Sequence, residues 1–558
     1  MAKRLATLVA PCVVITCVAC GGQTVPPQNA AHERAPSAPQ AAALTPGIGS
    51  HHHPIAATSA DAQRYFDQGF DLVFGFNHEE AARSFARASE LDPKAAMPYW
   101  GVAWALGPNY NLDVDDARGK QAYDAIAKAL ALSSAGPDSE RAYVEAMAIR
   151  FTADPKPDRA ALARKYADAM RDLSRRFPDD LDAATLYAES LMNLRAWKLW
   201  SLDGKPADQT EEIVAVLESV MARDPSHLGA NHYYIHTVEA SPTPARGLAS
   251  AKRLETLAPS AGHLVHMPAH IYARTGDHDA AARANTAGVI ADRAYLQGKP
   301  ADNFYGMAYY SHNLHFLADS EMMRGRLAGA RQAAAEMAER LSPHTKMMPM
   351  LESMITMRTS VLLRFNRHDE VLAIAQPPAD HPVEVAWWRY ARGVALARTG
   401  KPDDAAAERM ALAEAATKVP DDALFGGTGL ERARTILALA AAVLDARIAW
   451  ARGARAEAIR LWTGAVAAAD KVPYDEPPVW YYPVRESLGA AHLLQGRAPE
   501  AERVFREDLV RHPRSARSLF GLHESLVKQG RHADAGWVKR AADEAWKNAD
   551  TMLTLEGL

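Results

Sequence analysis

Apolar and small residues recur along this chain at helical spacing, and the same punctuation recurs with them. Between Ala62 and Asp92, Gly69, Leu72, Ala81, Phe85 and Ala88 fall where two packed helices need small or interlocking side chains, and Pro93 follows. Small residues let the helices approach closely, Phe85 fills the gap between neighbours, and Pro93 ends the second helix. The pairs Gly276/Ala281, Gly325/Ala330, Gly400/Ala405, Gly453/Ala458 and Gly530/Ala535 each read as a turn followed by the small residue of a second helix. The run Gly489, Gly496, Ala501, Phe505 and Pro513 is nearly as complete as the first unit, whereas Lys120 to Ser226 carries longer, less regular turns. The pattern predicts an all-α chain of helix pairs from about Ser59 to Asp550, each pair packing on its neighbours, with no sheet of consequence.

A spacing of 34 residues separates His232 from His266 and His236 from His270, and that is the length of one tetratricopeptide helix–turn–helix unit. Together with the Gly, Ala, Phe, Ala and Pro of the first unit, it makes the chain resemble tetratricopeptide-repeat proteins over most of Ala62 to Asp550. The wording Asn-His-Tyr-Tyr-Ile-His from Asn231 and His-Leu-Val-His-Met-Pro-Ala-His from His263 resembles a bacterial, histidine-rich branch of that family. The resemblance implies a right-handed superhelical solenoid of tetratricopeptide-type helix pairs, whose first helices line a concave, ligand-facing surface. It implies no particular activity.

Polar residues on those first helices form three clusters. They are His232, His236 and Glu239; His263, His266 and His270; and His312, His315 and Asp319, the last two trios lying 49 residues apart. Spacings of three, four and seven residues put each trio on one helix face. Packed helices lie about 8–10 Å apart, so side chains from neighbouring first helices can converge. Neutral imidazole and carboxylate make a ligand set for zinc, copper or iron, and nine candidates exceed what one ion takes, so some would orient others or a second ion would be held. The blander readings are a polar groove for a peptide or anion, or a hydrogen-bonded lining without a ligand. Pro268 removes a backbone donor and is expected to kink its helix or delay its start.

Other candidates to line a ligand channel are Trp100 and Trp104, Glu189 and Asn193, each pair four residues apart, and Tyr309 in an inserted loop from Arg293 that could form a lid. For the tryptophans, packing is the competing reading. No G-x-G-x-x-G, P-loop, H-E-x-x-H or G-x-S-x-G occurs.

Composition narrows the setting. Residues 1–20 resemble a bacterial lipoprotein signal, with Lys3 and Arg4 before an apolar run that ends at Val18-Ala19-Cys20-Gly21, so Cys20 is the expected lipidation site, an ordinary secretory signal being the alternative. All three cysteines lie in that leader, leaving the folded part without disulfides or thiolates. Residues 21–57, rich in Pro, Ala, Gln and Ser and including the run His51-His52-His53, read as a disordered tether. Residues 58–375 read as a first solenoid carrying the histidines and 380–558 as a second, with a softer joint at Ala375 to Ala379. A net charge of −4 gives no footprint for nucleic acid. The expected setting is the periplasmic side of a bacterial envelope, with a membrane anchor through Cys20.

Three functions compete. One is a tethered solenoid that binds a protein, peptide or small molecule on its concave face, with a transition metal at the histidines. The second is a hydrolytic or oxidative metal enzyme, with Glu239 and Asp319 as candidate acid or base. The third is a structural assembly factor. The sequence leaves catalysis open.

Overall fold

Among the described residues twelve pairs of helices follow one another, from Ala60–Phe74 with His78–Leu91 to Ala516–Lys528 with His532–Ala545. The computed structural model describes residues 42–558 other than 155 and 428. The leader, Cys20 and the first half of the expected tether lie outside the described residues. Consecutive helices pack side by side throughout, and first helices also touch first helices of the next pair, as Ala60–Phe74 does with Met97–Leu106. Among the described residues the strands amount to Leu424–Phe425 paired antiparallel with Glu431–Arg432. The architecture is all-α, built of successive packed helix pairs.

The punctuation read from the sequence has a physical counterpart in the backbone. Gly276, Gly325, Gly400, Gly453, Gly496 and Gly530 all stand at φ between 72° and 81°, each two residues before its second helix begins. That left-handed conformation is open to glycine at little cost. In the same slot the first pair has Phe76 at φ 56°, an outlier for a bulky residue. Phe85 is fully buried between Gly69 and Gly101, where an added Cβ would approach its ring to 2.5 Å and 2.4 Å. Phe505 repeats this between Gly489 and Gly521. Pro268 interrupts its helix as expected, splitting it into Gly262–His266 and Pro268–Arg274.

The second half of the expected tether is not structureless. Residues 42–57 run as an extended strap along the first helices. Ser260 N donates to Gly47 O at 2.8 Å, Thr45 N to the Gln68 side chain at 2.7 Å and His53 N to Asp67 at 3.1 Å. His51 and His53 both reach the buried carboxylate of Asp182, at 2.9 Å and 2.7 Å, and His227 Nε2 lies 3.2 Å from it. The histidine run is therefore a clasp and not low-complexity linker. Residues 42–558 form a single unit, and the stretch expected as a joint links helix His368–Ala373 to helix Pro382–Arg398.

Candidate metal centre

Helix Leu228–Val238 is buried along its whole length, because its neighbours cover every face. It presents His232 and His236 to the broken helix that carries His263, His266 and His270, and helix Ser311–Met323 closes the row with His312. Six rings result, in two groups of three: His232, His236 and His263, then His266, His270 and His312, the ligand-capable atoms of each group lying within 4.8 Å of one another. His232 Nε2 is 3.1 Å from His263 Nε2. His266 Nε2 is 2.7 Å from His270 Nε2 and 3.1 Å from His312 Nε2.

The outer nitrogens show which tautomers these are. His232 Nδ1 lies 2.5 Å from the carbonyl oxygen of Phe74, which can only accept, so Nδ1 carries the proton. His266 Nδ1 donates in the same way to Asn285 Oδ1 at 2.6 Å, and the Asn285 amide is oriented by its own donation to Ser320 Oγ at 3.2 Å. Glu239 takes one ring from each group, with Oε1 2.7 Å from His236 Nδ1 and Oε2 2.6 Å from His270 Nδ1. In the neutral rings the Nε2 lone pairs of these four histidines therefore point inward. Lone pairs facing each other at 2.7 Å repel unless a cation lies between them. Metal–nitrogen bonds of about 2.0–2.1 Å set adjacent ligand nitrogens roughly 2.9–3.4 Å apart, close to the observed spacing.

Protons are poor candidates for that cation. Burial, reinforced by neighbouring histidines, holds His232, His263, His266 and His312 well below the ordinary imidazole value. Burial also lowers His270, against the opposing pull of Glu239. The carboxylates behave differently from each other. Burial pushes Glu476 far up, helped by the charge of Glu239, whereas His270, Glu476 and His236 hold Glu239 well below the usual range despite its burial. Glu476 arrives from the loop after helix Arg455–Ala469 and contacts His270 Nδ1. Beside it, Tyr474 donates to Glu239 Oε2 at 2.9 Å.

Three sequence-based assignments need correction. His315 and Asp319 do not join the cluster. His232 pairs with His263 and His266 with His312, so each helix is displaced by about one turn from the register that a strict 34-residue repeat suggested. His315 is buried apart, its value lowered by burial to about 4, and burial raises Asp319 to about 7 at the wall of a cavity. Trp100 and Trp104 line no channel; they pack with Phe66, Phe70, Phe74 and Phe85 in the core. Glu189 and Asn193 meet each other, the amide donating to the carboxylate at 2.5 Å, and neither contacts a histidine of the cluster; Asn193 lines a second cavity of about 1170 Å³.

Tyr309 does belong to the site, its ring 5.1 Å from that of His263, but as a buried wall and not as a lid. Tyr305 in the same insertion accepts from His263 N at 3.1 Å and donates to Asp292 at 2.9 Å. Sequence reasoning missed Glu476, Tyr474, Asn285, Phe76 and Trp197. A larger cavity of about 1230 Å³ ends at His270, with Arg274, Phe316, Tyr474, Glu476 and Trp480 in its walls.

No family model matches the chain, and no curated protein matches it. Among solved structures, yeast Tom70 aligns at 12% identity and a TM-score of 0.32, over 86% of this chain and 98% of its own. The P58(IPK) TPR domain aligns at 11% identity and a TM-score of 0.20, over 85% and 99%. At these scores the alignments carry no argument; the succession of helix pairs with positive-φ glycine turns is what the chain shares with the tetratricopeptide pattern.

Proposed function

We propose that this protein is a tethered helical-repeat protein that binds transition-metal ions through its histidine cluster and a ligand or partner in the adjoining cavity. The observation that carries this reading is the pair His266 and His270, whose Nδ1 atoms both face acceptors and whose Nε2 lone pairs therefore meet at 2.7 Å, with His312 Nε2 3.1 Å from that of His266. All-imidazole ligation, with carboxylates behind the rings, suits zinc or copper best among the candidates. The leader and Cys20 support placement in a bacterial envelope.

Elemental analysis of the purified protein, beside a variant carrying H266A and H270A, tests the metal. Near-stoichiometric metal in the parent and a clear deficit in the variant is the expected result. A parent that holds none, and whose unfolding temperature ignores added zinc and copper, ends the reading. Metal-dependent catalysis is a second reading. It draws on Glu476, whose carboxyl burial and the charge of Glu239 push up, and which stands beside both His270 and the cavity. Screening metal-loaded protein for hydrolysis and oxidation, against E476Q, tests it; equal rates in both would remove Glu476 as the acid.

A further inference from the structure

The two groups of three histidines sit in different surroundings. His232, His236 and His263 are sealed in. Phe76 lies over all three, with ring centroids 4.5, 5.6 and 5.3 Å away. Tyr110 and Trp197 each close on His236 at 5.5 Å, and Tyr309 closes on His263. None of the three histidines lines either cavity. Among the described residues five non-glycine residues have left-handed backbone, and the two aromatic ones, Phe76 and Trp197, are both in this wall. Such a conformation costs on the order of 1–3 kcal/mol and persists only where the surroundings enforce it. Here it aims two large rings at the same three imidazoles.

The second group is open. His270 forms part of the wall of the 1230 Å³ cavity, and His312 is the one ring of the six with appreciable exposure. Three imidazoles leave a four-coordinate ion one position for a ligand. Between the groups, Glu239 places one oxygen on a ring of each, so a single carboxylate charge serves both.

We propose that the chain holds two ions with separate roles: an enclosed, structural ion at His232, His236 and His263, and an exchangeable ion at His266, His270 and His312 that takes a small anionic or oxygen-donor ligand from the cavity. The division rests on the metal reading above and goes beyond it. Both groups supply three imidazoles, so access sets them apart: an ion walled off by aromatic rings releases slowly because water and chelator do not reach its remaining position, whereas one beside the cavity exchanges and binds ligand.

Cobalt(II)-loaded full-length protein tests the division, with azide as the probe ligand. Two cobalt ions per chain are expected, with chelator-induced release in two equal phases whose rates differ on the order of tenfold or more. Azide should alter about half of the visible cobalt absorption. H312A should lose the fast phase and the azide response; H263A should lose the slow phase, keep the azide response and unfold at lower temperature. One cobalt per chain, release in a single phase, or an azide response that survives in H312A overturns the division and leaves metal binding intact. Binding of no cobalt, zinc or copper overturns the metal reading itself. The release kinetics and the azide response of the unmutated protein decide the matter even where a variant fails to fold.

Discussion

Glu239 touches both histidine groups, accepting from His236 and from His270 through different oxygens. Glu239→Gln keeps the shape but turns one acceptor into a donor that faces a ring N–H. Metal affinity should fall about 10–100-fold, read by competition with a chromophoric chelator; unchanged affinity would mean that the carboxylate orients nothing. A second prediction concerns pH. Burial lowers His78 to about 3 and His278 and His315 to about 4, while an unfolded imidazole titrates at 6.5. Below that value the unfolded chain binds more protons, so the stability from these residues is complete above pH 6.5 and drains away toward pH 4. Denaturant unfolding of metal-free protein at pH 7 and pH 5 checks the sign. The histidines were legible in the sequence because their types and spacing are unusual. Their partners were not, since Asn285, Phe74 and Glu476 reach them only through the fold.

At the scale of elements, turn glycines and packing residues were read correctly, since each obeys a local rule that one repeat suffices to reveal. Gly101→Ala should cost about 1–3 kcal/mol, because the new Cβ would meet Phe85, whose place between two glycines leaves it little room. Urea titration of the variant measures it, and Gly400→Ala is not an equivalent control because that position needs its positive φ. The error over His315 came from pairing residues at a strict repeat length, whereas at both interfaces the rings meet three residues, about one turn, short of it. The five-residue π-helical turn Gly306–Tyr310 precedes helix Ser311–Met323, and pairing across helices runs one turn off the strict repeat. The strap was misread for another reason: composition suggested disorder, but Asp182, 129 residues from His53, supplies the missing partner. Burial pulls His51 and His53 down, yet Asp182 more than offsets it and leaves both raised. Their contribution is therefore complete below pH 6.5 and lost as pH rises through their folded values, the opposite sign to the core histidines. Asp182→Asn should free the strap, seen as faster protease cleavage between residues 42 and 57; equal cleavage in both proteins would show that the backbone contacts suffice.

Over the whole molecule, the site draws on sequence positions far apart. Tyr474 donates to Glu239 across 235 residues, and neither Tyr474 nor Glu476 belongs to a helix pair whose periodicity could have announced it. The Pro-rich run from Val472 to Pro478 was the available clue, a carboxylate-bearing loop without a place in the repeat. If metal binds the folded state alone, saturation at about 100 times the dissociation constant adds roughly 2.7 kcal/mol of stability. Thermal unfolding with and without chelator should show this as a shift that shrinks in H266A and disappears when H263A is added. Long-range closure also has a consequence for how the protein matures. A chain emerging from its N-terminus presents the six histidines well before Tyr474 and Glu476 exist. On the proposed metal reading, an ion caught early would sit in an incomplete cage, and full retention would begin only when the loop that carries those two residues has folded back. Metal content would then work as a tally of finished molecules: truncated or nicked copies would shed their ion under mild chelation while intact ones would keep it.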